Sequence, residues 1–385
     1  RRRAASGSAH HAAQRKAGAL ANHASRHCRQ RRHGLVGRLS GHPAARETHP
    51  LSAPGNDATA LLADIGGTNA RFALLSAGGT SPLVRLKVAE HPVSYDALGA
   101  ALETLSGQAP APPTAAVLAF AGRVSAERAQ MTNTGWEARS DELCKRFGFR
   151  SVRLMNDYAA LALGLDRLTE EDRLTIGPPL PSPGGALAVI GPGSGLGVAA
   201  LMPAEAQPQV LVGEGGHSTM AATNDVEAQV LAFLRARYGH VSAERLLSGP
   251  GLTNIHQALS SLEGTAVEAA DPAEVTRRGL EGSDALCRRT LDVFCAFLGS
   301  FAGSMALCYG AQGGVYLGGG ILPRFPEFLA GSDFRRRFED KGRLSSYLAR
   351  IPTWLITQPD AAFAGLTVAA RQLLGAPDPV SAAVR

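Results

Sequence analysis

Apolar residues in this chain fall into short runs broken by glycine, proline and small polar residues. Leu61, Leu62 and Ile65 precede the pair Gly66-Gly67, and Phe72, Leu74 and Leu75 follow it, which reads as strand, tight turn, strand. Residues 84–88 form a third strand and residues 95–105 a helix. A Pro- and Ala-rich loop at 107–113 leads to the continuous apolar run 115–121, the pattern of a parallel strand covered on both faces. A helix around 140–147 follows, with Ser140 placed to cap its start. The strand at 152–155 then delivers Asn156-Asp157 at its carboxyl end, the edge at which open α/β sheets bind ligands. Residues 187–201 repeat the opening device, with a Gly-rich turn at 191–197, and a glycine triplet, 318–320, ends another short strand. The most apolar long segment, 291–309, is interrupted by Gly299, Ser300, Gly303 and Ser304. That suits a buried helix with close neighbours better than a membrane span. The charged stretch 338–344 reads as a solvated helix end.

Charge changes the picture only at the front. Residues 1–58 carry eleven Lys and Arg against Glu47 and Asp57, and seven of the eleven His. Taking that +9 from the chain's +6 leaves −3 for the remainder, so the basic character belongs to a segment without apolar periodicity. It is expected to be a disordered leader. The 327 residues beyond it suffice for two domains. The five cysteines show no Cys-x-x-Cys spacing, and three fall in the apolar segment near 291–309. They read as reduced core residues of a cytoplasmic protein.

The candidate chemistry lies at the breaks. Gly66 and Gly67 are expected to enter backbone conformations closed to other residues and to leave room for a bulky anion. Thr68 and Asn69 add amide N–H groups and short polar side chains suited to a phosphate, and Asp64 stands where a carboxylate could hold Mg²⁺ through water. The run Gly213-Glu214-Gly215-Gly216-His217 sets a carboxylate and an imidazole in a frame of small residues. Asn156, Asp157 and Glu244 complete a set able to hold a sugar. Each also has an ordinary structural reading: Glu244 at a helix start, Asn156-Asp157 in an Asx turn. No cysteine lies between Cys144 and Cys287 to join His217 in a zinc site. A Rossmann dinucleotide site fits badly, because 193–197 returns to a strand-like run, and there is no Walker A motif.

Taken together, the runs at 63–74, 131–136, 155–161, 191–201, 213–217, 242–252, 317–324 and 338–344 resemble the bacterial glucokinase family. The resemblance covers residues 59–370, in order. It implies an α/β, two-lobed actin-like ATPase (ribonuclease-H-like) fold with an interlobe cleft. The small lobe would be 59–167 completed by 358–385, and the large lobe 168–357. It further implies phosphorylation of glucose at its 6-hydroxyl by ATP with Mg²⁺. Asp157 would be the general base. Asn133, Asn156, Glu214, His217 and Glu244 would bind the sugar beside it. Asp64, Gly66, Gly67, Thr68 and Asn69 would bind ATP, with Gly193, Ser194, Gly195 and Gly319. A cytoplasmic homodimer, with no nucleic acid or membrane partner for the folded part, completes the expectation. Ser194 stands where the family usually has Thr, and Arg123 where it usually has Pro. A kinase of the same fold for fructose, mannose or an N-acyl hexosamine, or a non-catalytic sugar-responsive regulator, are the other readings.

Overall fold

The computed structural model describes residues 59–109, 111–131, 134–202, 204, 207–266 and 270–375; the basic segment 1–58 and Asn133 lie outside the described residues. Strand β1 (Ala60–Ile65) is buried at every position and splits by period two. Ala60 and Leu62 face one core, and Leu61, Ala63 and Ile65 face another. It pairs antiparallel with β2 (Asn69–Ser76) and parallel with β5 (Ala115–Phe120), which pairs parallel with β9 (Ser151–Asn156). Strands β3 (Gly79–Thr80) and β4 (Val84–Lys87) pair with β2 and complete a six-stranded sheet. A three-stranded sheet of β6 (Gly122–Val124), β7 (Arg128–Met131) and β8 (Glu137–Arg139) lies between β5 and β9 in sequence.

The second six-stranded sheet repeats the plan. Its order is β10 (Arg173–Thr175), β15 (Thr353–Ile356), β14 (Gly314–Leu317), β11 (Leu187–Pro192), β12 (Leu196–Met202), β13 (Gln209–Gly213). Again there is an antiparallel hairpin, β11–β12, and β11 pairs in parallel with the later β14, which pairs in parallel with β15.

Helices cover both sheets. The outer face of the first carries α1 (Ser94–Leu105) and α2 (Ser140–Phe147), whose Leu98, Leu105 and Leu143 pack with Leu61, Ile65 and Phe72. Ser140 is the first residue of α2 and not its cap: its N–H and Oγ both bond to the carbonyl of Glu127, which draws it onto the hairpin, and Arg139 occupies the cap position. Helix α3 (Asp157–Leu163) starts directly after β9. On the far side of the second sheet lie α4 (Asp225–Tyr238), α5 (Gly249–Leu262), α6 (Pro272–Glu281), α7 (Ala285–Tyr309), α8 (Pro326–Gly331), α9 (Phe334–Glu339) and α10 (Ser345–Leu348). Helix α11 (Ala362–Leu374) joins α3 in the core between the sheets. There Leu163 and Leu366 pack with Leu62 and Val117 of one sheet and Val189, Ala199 and Leu201 of the other.

Helix α7 is long and apolar enough to cross a membrane, but 67% of its most apolar window is buried in the fold. Its two glycines let α9 approach: a Cβ at Gly299 would lie 2.2 Å from the Phe334 carbonyl oxygen, and one at Gly303 2.3 Å from that of Phe338. The charged stretch 338–344 is largely the solvated helix end its charges suggest, with Asp340, Gly342, Arg343 and Leu344 exposed, and only Phe338 at its start is buried. Phe334 and Phe338, one turn apart, are fully buried. Arg337 goes in with them because Glu227 accepts from its Nη2 at 2.6 Å and Ser300 Oγ from its Nε at 3.1 Å. Lys341 reaches the Ser300 carbonyl at 2.8 Å.

Candidate active site

The carboxyl ends of the parallel strands hold most of the residues singled out in the sequence. In the first sheet Ile65, Phe120 and Asn156 lie in one register row, so Asp64 is near the end of β1 and Asp157 is the first residue past β9. The β1–β2 turn is closed by the Gly66 N–H donating to Asn69 O at 3.0 Å, and the Thr68 carbonyl accepts from Val88 N at 3.0 Å. Gly67, Thr68 and Asn69 are exposed. Neither Gly66 nor Gly67 has a positive φ, so the turn does not need glycine for its conformation. Gly67 supplies room, since a Cβ there would meet nothing within 4 Å, whereas one at Gly66 would lie 3.3 Å from the Asn69 carbonyl oxygen.

Asp64 is buried and already paired: its Oδ2 lies 2.9 Å from Arg71 Nη2. Arg71 also donates to Asp360 Oδ1 at 3.0 Å and to the Pro359 carbonyl at 2.7 Å, and Arg85 reaches Asp360 Oδ2 at 2.6 Å. The first loop is thus tied to the segment that leads into α11. Burial pushes the Asp64 carboxyl up, Arg71 pulls it down, and Asp360 adds to the upward push.

Asp157 opens α3. Asn156 caps the helix, its Oδ1 accepting from Tyr158 N at 2.9 Å and Ala159 N at 3.3 Å, while its Nδ2 donates to Gly122 O at 3.4 Å. The Asx reading of this pair therefore holds for Asn156, and the cap aims the next carboxylate along the sheet edge. Asp157 is half-buried, and its carboxyl is pushed up to about 7, first by desolvation and second by the charge of Asp64; bonds from Tyr158, its own amide and Asn156 oppose the rise. A carboxyl poised there exchanges protons near neutrality.

In the second sheet the β11–β12 turn is held by Gly193 N–H donating to Gly195 O at 2.8 Å and by Gly249 N–H donating to Gly193 O at 2.9 Å. Glu244, on a single 3₁₀ turn, accepts from Leu196 N at 2.9 Å through Oε2. His217 stands between the two other expected carboxylates, 3.9 Å from Glu214 and 4.0 Å from Glu244. The structure therefore brings Glu214, His217 and Glu244 together beside the second loop. Glu214 and His217 are exposed, and Glu244 is partly buried.

Behind that loop lies a cavity of about 270 Å³ lined by Gly193, Ser194, Gly249, Leu252, Pro272, Thr276, Ile321 and Arg324, among others. Gly319 is not among its lining residues, although Gly320 is. With φ at +81° and a Cβ position 2.3 Å from the Pro192 carbonyl oxygen, Gly319 is pressed against the end of β11. Sequence reasoning missed Thr276, Arg324, Arg71 and Tyr158. Thr276 sits mid-helix without a motif, Arg324 ends the run 317–324 without being singled out in it, and the others act through partners remote in sequence.

Two hairpin-led sheets enclosing a helix pair, with a glycine turn at the carboxyl edge of each, make up the actin-like ATPase fold of the sugar kinases. Among solved structures, a glucokinase from an Antarctic psychrotroph has a TM-score of 0.74 and 35% identity, over 82% of this chain and 99% of that one. A glucokinase of the ROK family from Streptomyces griseus, solved with glucose and AMPPNP, shares the fold at a TM-score of 0.54 and 18% identity, over 82% of this chain and 99% of that one. The glucokinase from Nitrobacter hamburgensis is 46% identical over 314 residues, 81% of this chain and 98% of the relative. The glucokinase family model matches residues 61–373, and the chain belongs to that family.

Proposed function

We propose that Asp157 is the general base in this enzyme's ATP-dependent phosphorylation of glucose, taking the proton from the 6-hydroxyl as that oxygen attacks the γ-phosphorus. The observation that carries this is the placement of Asp157: a carboxyl at the sheet edge, aimed by a capping asparagine and poised at about 7. A base with a pKa near the working pH combines the right protonation state with proton affinity.

Phosphoryl transfer depends mostly on positioning and charge stabilisation. The exposed residues Gly67, Thr68 and Asn69 are suited to one part of the phosphate chain, and Ser194 with Gly195 to another; Gly66 and Gly193 would shape the two loops, since their N–H groups close the turns on Asn69 O and Gly195 O. The apolar cavity beside Ser194 suits a nucleobase. Asp64 is the carboxylate near the first loop, with only Oδ2 engaged by Arg71, and a single carboxylate fits an ion held chiefly by substrate phosphates. Mg²⁺ would supply neutralisation of the β- and γ-phosphate oxygens. Glu214, His217, Glu244 and the Asn156 amide would orient the sugar ring, with Asn133 as a further candidate outside the described residues. Buried partners left unpaired by a missing hydroxyl give such sites their discrimination.

The proposal includes closure of the small lobe (residues 59–167 with 358–385) onto the large one (168–357) to exclude water. The family further implies a cytoplasmic homodimer. The test is Asp157→Asn, which keeps size but cannot accept a proton near neutrality. Its kcat should fall by about 10²–10⁴ while glucose affinity changes far less. A folded, fully active variant would overturn the assignment, and a panel of hexoses read by product formation tests the acceptor.

A further inference from the structure

The side chain next to the base has a contact that the chemistry above does not use. Tyr158 donates from its hydroxyl to the Gly191 carbonyl at 2.7 Å. Gly191 lies in β11, directly across the hairpin from Gly197 in β12, and the ring fills a notch that these two glycines open. A Cβ at Gly191 would stand 1.9 Å from the Tyr158 oxygen, and one at Gly197 1.9 Å from Cε2 and 2.1 Å from Cδ2. The notch sits immediately beneath the second glycine turn: Gly191 is two residues before Gly193, and Gly197 two after Gly195. At its other end Tyr158 offers its N–H to Asp157 Oδ1 and to Asn156 Oδ1, each at 2.9 Å. One residue therefore joins the carboxylate of the first sheet to the glycine turn of the second.

We propose that Tyr158 is a positioning residue that sets the distance between the Asp157 carboxylate and the second phosphate loop. This rests on the assignment of Asp157 as base. An in-line displacement needs the attacking oxygen and the γ-phosphorus at a fixed separation, and a displacement of about 1 Å costs on the order of 10²-fold. The glycines at 191 and 197 are then required by the tyrosine ring, whereas a Cβ at Gly193 would meet nothing within 4 Å and one at Gly195 would lie 2.6 Å from Glu244 Oε2.

The test uses the full chain and the variants Tyr158→Phe, Tyr158→Leu, Gly197→Ala and Tyr158→Leu/Gly197→Ala, with Asp157→Asn alongside. Readouts are kcat, both KM values, dissociation constants for glucose and AMPPNP, and thermal unfolding. Tyr158→Phe keeps the ring in its notch and should lose no more than about fivefold in kcat, the worth of one hydrogen bond. Tyr158→Leu and Gly197→Ala should each lose about ten- to a hundredfold in kcat with both dissociation constants within about threefold. The double variant should be no worse than the poorer single one, because both changes break the same fit. The proposal is overturned by a Tyr158→Leu protein within about threefold of the parent in kcat, by a double variant whose loss is the product of the single losses, or by a loss confined to KM. If Tyr158→Leu does not fold, Gly197→Ala decides: a normal kcat overturns the proposal, and a kcat loss with intact binding supports it. An active Asp157→Asn would instead remove the base itself, so the two failures are separable.

Discussion

The pH dependence of turnover follows from the position of Asp157. Its carboxyl is pushed up to about 7 from an ordinary 3.8, with burial the first cause and the charge of Asp64 the second. A base acts only when ionised. The rate constant kcat/KM, which reports the free enzyme, should therefore be half-maximal near pH 7, about one-eleventh of its plateau at pH 6 and about ten-elevenths at pH 8. Stability should run the other way. A carboxyl whose folded pKa is raised binds its proton more tightly folded than unfolded, so its contribution is fully present below pH 3.8 and is lost as pH rises through about 7. Asp157→Asn removes that loss, and the variant should melt higher than the parent at pH 8 while turning over far more slowly. Asp64→Asn should move the acidic limb of the parent profile to lower pH, because one of the two upward causes is gone. Product should be quantified directly, so that no coupling enzyme titrates in the same range. A kcat/KM that stays flat between pH 5.5 and 8.5, or an Asp157→Asn protein with the parent's limb, would refute the reasoning.

Four further outcomes are expected. Glu214→Gln should raise KM for glucose at least as much as it lowers kcat, since a positioning contact acts in the ground state as well; a pure kcat effect in steady-state kinetics would contradict this. Gly319→Ala places a Cβ 2.3 Å from the Pro192 carbonyl oxygen at a φ of +81°. It should cost about 1–3 kcal/mol by urea unfolding and raise KM for ATP more than KM for glucose. Arg337→Met strands Glu227 in the core and should cost about 3–5 kcal/mol, read as a lower urea midpoint at unchanged slope. Saturating glucose should compact the enzyme in small-angle scattering, and an unchanged radius of gyration would count against lobe closure.

The parts of this enzyme legible in its sequence are those written in local pattern. The hairpin at Asp64, the buried run at 115–120, the carboxylate after β9 and the second glycine turn all announce themselves through apolar spacing and glycine. What is not legible there depends on partners far away in the chain. Arg337, just before the solvated stretch at 338–344, is buried because Glu227 reaches it from another helix. Ser140 has the chemistry of a cap, yet the Glu127 carbonyl takes it. Of the two properties expected of Gly66 and Gly67, a left-handed backbone is found at neither, and open space is found at Gly67. Gly319, expected at the nucleotide, lies next to the cavity-lining Gly320 and presses against the Pro192 carbonyl. Arg71 and Tyr158 lie within the runs 63–74 and 155–161, but their roles depend on Asp360 and Gly191, far away in sequence.

Helix α11 sets an order of events during synthesis. It packs against α3, β1 and β5, with Gly365 so close to α3 that a Cβ there would sit 1.8 Å from the Ala160 carbonyl oxygen. The strands of the first sheet leave the ribosome long before this helix exists. At about 5–20 residues per second, their inner face waits on the order of tens of seconds for the last turns of the chain. Through that interval Leu62, Ala73 and Val117 have no α11 to cover them. A nascent chain stopped short of residue 362 would hold an intact set of glycine turns and still expose that face, a natural target for chaperones and for aggregation.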